Sequence, residues 1–361
     1  MAVKAWAARI LPLLALVAGA ALPCAAAAQA VAPGVLAGRV IPAGGGDVRG
    51  LRVLVRAGAL ADSAVVDSAG RFSVALPDSS TADSVEVWVD AADDSMRTFH
   101  PARLWLERRD LAREQEIVLV PLKWTIREGR YAGRQIDVPL ARAFTGACAE
   151  CTGFFRRIGA GGGGGHTRLQ GWPAERFPLR VAFDRDWSGV NVTARDSAAF
   201  WRDAAELEET FGADIFQPAN YPDAVPREEG GNDDVILVWF DPTMHGIAGL
   251  GTAVSHGGDI GYGDLRLNRA ALREAAAYPG LVAHELMHTL GFGHTCAWRS
   301  VVADSRRCPD LRAPTATEHD VAYVQLAAEI RSLLREHTGR WAVEAAIAAM
   351  EPLRQPGLAA R

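Results

Sequence analysis

Hydrophobic periodicity changes character once along this chain of 361 residues, and no single pattern of secondary structure satisfies both parts. From residue 31 to 121 the apolar residues alternate. "LRVLVRA", "RFSVALP", "SVEVWVD" and "EQEIVLVP" are short period-two runs, separated by turn-forming clusters such as "IPAGGGD" and "DSAG". Alternation places Leu51, Val53 and Val55 on one face of a strand, and Val85, Val87 and Val89 on one face of another. Six or seven such strands predict a small β-sandwich.

Beyond Trp172 helical spacing enters. "FPLRVAFD" reads as a strand, and "TARDSAAFWRDAAELEETFG" reads as an amphipathic helix with Phe200, Ala204, Leu207 and Phe211 on one face. Thr193 and Asp196 stand where an N-cap and its first-turn acid belong. "DDVILVWFD" is continuously apolar and predicts a buried central strand, while "DIGYGDLRLN" predicts a second strand at an edge. Two further helices are expected at Tyr278–Leu290, with Pro279 in its first turn, and over "TATEHDVAYVQLAAEIRSLLREH", with Thr315 and Glu318 as a capping box. The order β, α, β, β, α, α over residues 172–345 predicts a mixed sheet with helices packed on it. Residues 122–171 read as a connector: "WTIREGRYAGRQIDVPL" adds a strand or hairpin, and "IGAGGGGGHTRLQ" is a flexible Gly-rich link. Residues 346–361 read as a C-terminal tail.

The stretch "HELMHTLGFGH" at 284–294 carries the chemistry. On a helix, His284 and His288 project from one face a single turn apart, close enough to share one Zn²⁺ at about 2.0–2.1 Å. Glu285 is rotated by about 100° from His284, so it can reach a metal-coordinated water without being a ligand. Gly291 tolerates the left-handed backbone that ends a helix, and the returning chain delivers His294 as a third ligand. Three protein ligands leave a fourth position for water, which marks a catalytic zinc site and not a structural one. Zinc lowers the pKa of that water toward about 7 and Glu285 acts as general base, so the reaction class is amide hydrolysis, most naturally of a peptide bond. A helix with stray histidines explains neither the glycine nor the third histidine.

Lys4 and Arg9, the apolar run "ILPLLALVAGAAL" and "AQA" at Ala28–Ala30 predict a secretory signal peptide over residues 1–30, too short for a membrane span. A lipoprotein anchor at Cys24 is the rival reading, but "ALP" before it matches that pattern poorly. The protein is therefore expected to be secreted or periplasmic, where Cys148, Cys151, Cys296 and Cys308 form disulfides. Proximity favours Cys148 with Cys151 and Cys296 with Cys308. The net charge of −5, without a long basic cluster, argues against nucleic acid as a partner.

"HELMHTLGFGH" matches HExxHxxGxxH and resembles the zinc signature of the metzincin metalloproteases. The resemblance implies zinc ligands at His284, His288 and His294, a catalytic base at Glu285, and a protein or peptide substrate. It also implies a zincin fold: a mixed sheet and helices above the cleft, and a smaller C-terminal lobe below. An edge strand lines such a cleft, and Gly249–Asn268 is the candidate. Metzincins carry a methionine in a tight turn under the metal; after His294 the only methionine here is Met350, and Val302 in "WRSVVADS" stands in its place. The Cys296–Cys308 loop is expected to form part of the primed-side pocket. Through "VVDSAGRFSVALP", residues 31–121 resemble the transthyretin-like or carboxypeptidase-regulatory-like sandwich, an accessory module. The expected fold class is thus multidomain, an N-terminal all-β sandwich followed by an α+β zincin catalytic domain.

Other residues offer weaker sites. His245, His256 and Asp259 suggest a second, structural metal site, but at no recognised spacing. "GDIGYGD" lacks a full calcium ligand set, and the glycine run before His166 lacks the lysine of a phosphate loop. Cys148 or Cys151 could ligate zinc in an inhibited precursor, while His100, His319 and His337 read as surface or helix residues. Two rival functions stay open: a catalytically silent zinc protein that binds surfaces through its sandwich, and a zinc amidase acting on a non-peptide amide.

Overall fold

The structure, a computed structural model, describes residues 34–58, 60–76, 84–91, 97–107, 111–138, 171–183, 192–220, 234–241, 244, 246–256, 259–274, 277–296 and 298–336. It is sheet-rich α+β, with four α-helices among the described residues.

Seven strands form the first part: β1 (Val35–Pro42), β2 (Arg52–Ala57), β3 (Leu60–Val65), β4 (Arg71–Ala75), β5 (Ser84–Asp90), β6 (Ala102–Glu107) and β7 (Gln115–Leu119). They make two sheets, of order β4-β1-β7 and β3-β2-β5-β6. All pairings are antiparallel except β1 with β7. Alternation decides which face is buried: Val53, Val55, Val85, Val87 and Val89 pack against Leu36, Val40, Phe72 and Val74 of the other sheet.

The second part holds five strands, β10 (Leu179–Phe183), β11 (Phe216–Pro218), β12 (Val235–Phe240), β13 (Gly249–His256) and β14 (Asp259–Leu267). Their order is β11-β10-β12-β14-β13, parallel throughout except for β13. Every residue of β12 is buried, as its continuous apolar run requires. One expectation is corrected here. The strand at "DIGYGDLRLN" is interior, not an edge, and β13 takes the edge by folding back on it. The polar residues of β14 misled because they are satisfied across the sheet. Asp264 accepts a hydrogen bond from the Trp239 indole, and Arg266 stacks on the Trp239 ring at 4.3 Å.

Helix α1 (Ala194–Phe211) begins with a Thr193–Asp196 capping box and ends at Gly212, whose φ of 72° favours glycine. It buries Phe200, Ala204, Leu207 and Phe211. Asp196 also accepts hydrogen bonds from Arg273 at 3.0 Å and pairs with Arg269 at 3.2 Å, tying α1 to α2 (Arg269–Arg273). Burial alone would raise the Asp196 pKa, but Thr193, Arg273 and Arg269 outweigh it and hold the carboxyl below its usual value. A depressed folded pKa contributes stability that is present above the unfolded value near about 3.9 and lost as pH falls through the folded value. Asp196→Asn is expected to destabilise by about 1–3 kcal/mol at neutral pH and to flatten the acid limb of the stability curve. Urea unfolding at several pH values checks this, and an unaltered acid limb contradicts it.

Helix α3 (Leu281–Thr289) starts later than its spacing predicts. Its N-cap is Gly280 at φ 68°, and a Cβ there would stand 2.3 Å from the Pro314 carbonyl oxygen. Pro279 therefore precedes the helix and does not occupy its first turn. Helix α4 (Glu318–Glu336) is capped by Thr317 with Asp320, not by Thr315 with Glu318. "TATEHD" contains both frames of the pattern, and burial of Asp320 selects the second.

The hairpin of β8 (Lys123–Thr125) and β9 (Gln135–Asp137) packs against α4. Trp124 joins the main core, its indole N–H donates to Gln325 at 3.3 Å, and Arg127 pairs with Glu329 at 2.9 Å. Among the described residues no helix is long and apolar enough to cross a membrane.

Candidate metal centre

All nine residues of α3 are buried, His284 and His288 included. A helix enclosed on every side has no solvent to satisfy its polar groups, so each imidazole must find partners inside the protein. Both do. His284 Nδ1 lies 2.7 Å from the Val301 carbonyl oxygen, and His288 Nδ1 lies 2.7 Å from that of Phe292. A carbonyl only accepts, so both Nδ1 atoms carry hydrogen and both Nε2 atoms present lone pairs. Burial, then the charges of His288 and Arg312, holds the His284 pKa well below its ordinary value, which keeps this ring in the neutral, ligating form.

The chain leaves α3 through Gly291, at φ 100°, and the turn brings in His294. The three Nε2 atoms are 3.1, 3.2 and 3.2 Å apart. Three nitrogens at about 2.0–2.1 Å from one ion would be separated by about 3.3–3.4 Å at the ideal tetrahedral angle, and by about 3.1–3.2 Å where that angle closes to about 100°. The triangle therefore fits one face of a tetrahedron, and a cation at its centre relieves lone pairs that otherwise repel. These three histidines form the one group among the described residues able to hold a metal ion together, and the Glu285 carboxylate stands outside it.

Glu285 faces β13. Its Oε2 accepts from the Gly251 N–H at 2.6 Å, and burial raises its pKa to about 7 although that bond and Arg312 pull it down. The contact depends on absent side chains. A Cβ on Gly249 would meet Glu285 Cγ at 2.6 Å, and one on Gly251 would meet the Glu285 carbonyl oxygen at 2.1 Å and His288 Cβ at 2.8 Å. Two glycines at alternate positions of one strand, on the same face, were a signal for a close backbone approach that sequence reasoning passed over.

Behind His284 stands a second layer. Asp320, fully buried, accepts from Ser300 Oγ at 2.5 Å, from Val301 N at 3.1 Å and from Thr317 N at 2.8 Å. One carboxylate thus fixes both the start of α4 and the loop whose carbonyl orients His284. Asp320→Asn places an amide N–H₂ where every partner is a donor. It is expected to weaken metal binding by about 10–100-fold while the fold persists. Competition with a chromophoric chelator measures this, and undiminished affinity would remove Asp320 from the site. Val302, next in that loop, is fully buried.

Cys296 and Cys308 are disulfide-bonded, as proximity predicted, with Cα atoms 5.8 Å apart. The bond braces the loop that begins two residues after His294. Arg312, just beyond it, is half-buried and close enough to Glu285 and His284 to perturb both. Nothing in the sequence pattern singled it out.

Other candidates are not brought together. Asp259 pairs with Arg331 at 3.0 Å. His245 and the side chain of His256 lie outside the described residues, as do Cys24, Cys148, Cys151, His166, His337, the Gly-rich link and residues 1–30 and 346–361. His100 is not a surface residue: it is half-buried, with Nε2 2.8 Å from the Val138 carbonyl oxygen. His319 stacks on Trp298 at 5.7 Å. No family model, curated protein or solved structure matches this chain.

Proposed function

We propose that this protein is a zinc-dependent endopeptidase of metzincin type, exported from the cell, that hydrolyses peptide bonds. The observation that carries the reading is the convergence of three imidazole nitrogens, 3.1–3.2 Å apart, one helical residue from a buried carboxylate that stands outside their group. His284, His288 and His294 would hold a zinc ion, which when bound would supply Lewis-acid chemistry to acidify water and polarise a substrate carbonyl. Glu285 takes the proton of the attacking water and delivers it to the departing amine nitrogen. The Gly251 N–H holds that carboxylate in place, and the Val301 and Phe292 carbonyls hold two of the rings.

The neighbouring strand favours a peptide over a small amide. β13 is an edge strand with no strand on its outer side among the described residues, and Leu250 and Val254 are exposed along it. An open edge can pair with an extended peptide backbone. The Cys296–Cys308 bridge suits an oxidising compartment. Val302 would fill the space under the metal that methionine fills in metzincins, since an apolar side chain suffices there.

The deciding experiment incubates purified protein with a denatured protein substrate, with and without a metal chelator. Cleavage that stops with chelator and returns with zinc is the expected result. Zinc binding without cleavage of any protein would leave a silent binding protein, and cleavage confined to small amides would leave an amidase.

A further inference from the structure

We propose that Arg312 anchors a carboxylate of the substrate beside the scissile bond, and so sets the specificity of the site. The proposal rests on the peptidase reading above and adds to it which peptides are preferred.

The backbone around Arg312 is pinned. Its own N–H donates to the Pro309 carbonyl at 3.1 Å; Ser300 N donates to Leu311 at 2.9 Å and Ala313 N to Ser300 at 2.9 Å. Arg312 therefore lies across a bridge from Ser300, one residue from Val301, whose carbonyl orients His284. The disulfide-closed loop leads into it through the turn Pro309–Leu311. The backbone that carries this side chain is thus held by rigid elements, next to the loop that orients His284.

Among the described residues its guanidinium has no hydrogen-bond or ion-pair partner. Arg127, Arg134, Arg273 and Arg331 each pair with an acid, whereas the Arg312 side chain makes no hydrogen bond or ion pair with any described residue. Yet it is half-buried, and its charge reaches both Glu285 and His284. A cation held beside three metal-binding histidines repels the ion they would hold. Such a local conflict is expected where function, not stability, keeps the residue. An incoming anion resolves it. The guanidinium offers a planar fork of donors that matches a carboxylate bidentately, in a site shielded from solvent. A peptide can supply that carboxylate from its C-terminus or from an Asp or Glu side chain.

The test uses three versions of one peptide: a free C-terminal acid, its C-terminal amide, and the amide with an internal aspartate. Affinity for each is measured by fluorescence anisotropy on the full-length, zinc-loaded Glu285→Gln protein, which does not turn the peptides over. At least one carboxylate-bearing peptide is expected to bind about tenfold more tightly than the neutral amide. Adding Arg312→Gln brings that ratio to near one; adding Arg312→Lys keeps part of it, since charge remains and the fork is lost. The acid or the aspartate peptide, whichever gains, identifies the source. Metal content is read in parallel. If Arg312→Gln does not fold, the Arg312→Lys ratio and its decline with added salt decide. A ratio near one in the Arg312 protein, or one that survives Arg312→Gln, overturns the proposal. So does an equal loss of affinity for all three peptides, which would assign Arg312 to general positioning or to the oxyanion. Cleavage of the neutral amide by the unsubstituted protein tests the peptidase reading separately, so either claim can fail without the other.

Discussion

Glu285→Gln is expected to bind one divalent ion per chain as the parent does and to lose peptide hydrolysis by about 10²–10⁴-fold. Glutamine keeps the shape of the side chain and the carbonyl that accepts from Gly251 N–H, a bond of 2.6 Å in the parent. It cannot accept a proton at neutral pH. The carboxylate is also outside the group formed by His284, His288 and His294, so ligation should not change. His288→Ala supplies the contrast. It removes a nitrogen that lies 3.1 Å from His284 Nε2 and 3.2 Å from His294 Nε2, so the ion itself should go. Atomic spectroscopy reads the metal and a quenched peptide reads the rate. Glu285→Gln hydrolysing as fast as the parent would falsify the assigned base.

Gly251→Ala is expected to destabilise the protein and to weaken metal binding together. The added carbon would sit 2.1 Å from the Glu285 carbonyl oxygen and 2.8 Å from His288 Cβ, and the first of these is helix backbone. Neither can rotate away, so α3 must withdraw from β13. Overpacking of a close-packed core costs about 1–3 kcal/mol, and a helix–strand contact on backbone atoms falls at the upper end. The shift also carries His288 away from its two partners, so metal affinity should fall together with stability. Gly249→Ala is the control. Its added carbon would meet Glu285 Cγ at 2.6 Å, part of a side chain that can turn. That variant should keep its metal and melting temperature more nearly than Gly251→Ala, yet lose activity because the base is displaced. Thermal unfolding and metal titration of both variants check the ranking; a Gly251→Ala protein that melts and binds metal like the parent would mean that α3 does not lie against this strand.

Local chemistry was legible wherever one element satisfied itself. Alternation in "LRVLVRA" and "SVEVWVD" specifies which side chains turn inward whatever they meet, and the α1 cap is written in Thr193 and Asp196. Legibility failed where a partner distant in sequence decided the outcome. The polar residues of β14 suggested an edge because their partner, Trp239, lies on another strand. The start of α3 is set by Pro314, and the frame of the α4 cap by the buried needs of Ser300 and Val301.

The same division runs through the site. Spacing alone determined that His284 and His288 share a face, that Glu285 points elsewhere, and that Gly291 allows the turn to His294, because helix geometry is a local property. Only the tertiary structure decided that two lone pairs are freed by the carbonyls of Val301 and Phe292, that Asp320 holds the loop behind them, and that the Arg312 side chain has no pairing partner among the described residues. Tautomer, orientation and charge environment depend on atoms that the fold brings close from many residues away, and no spacing along the chain encodes that distance.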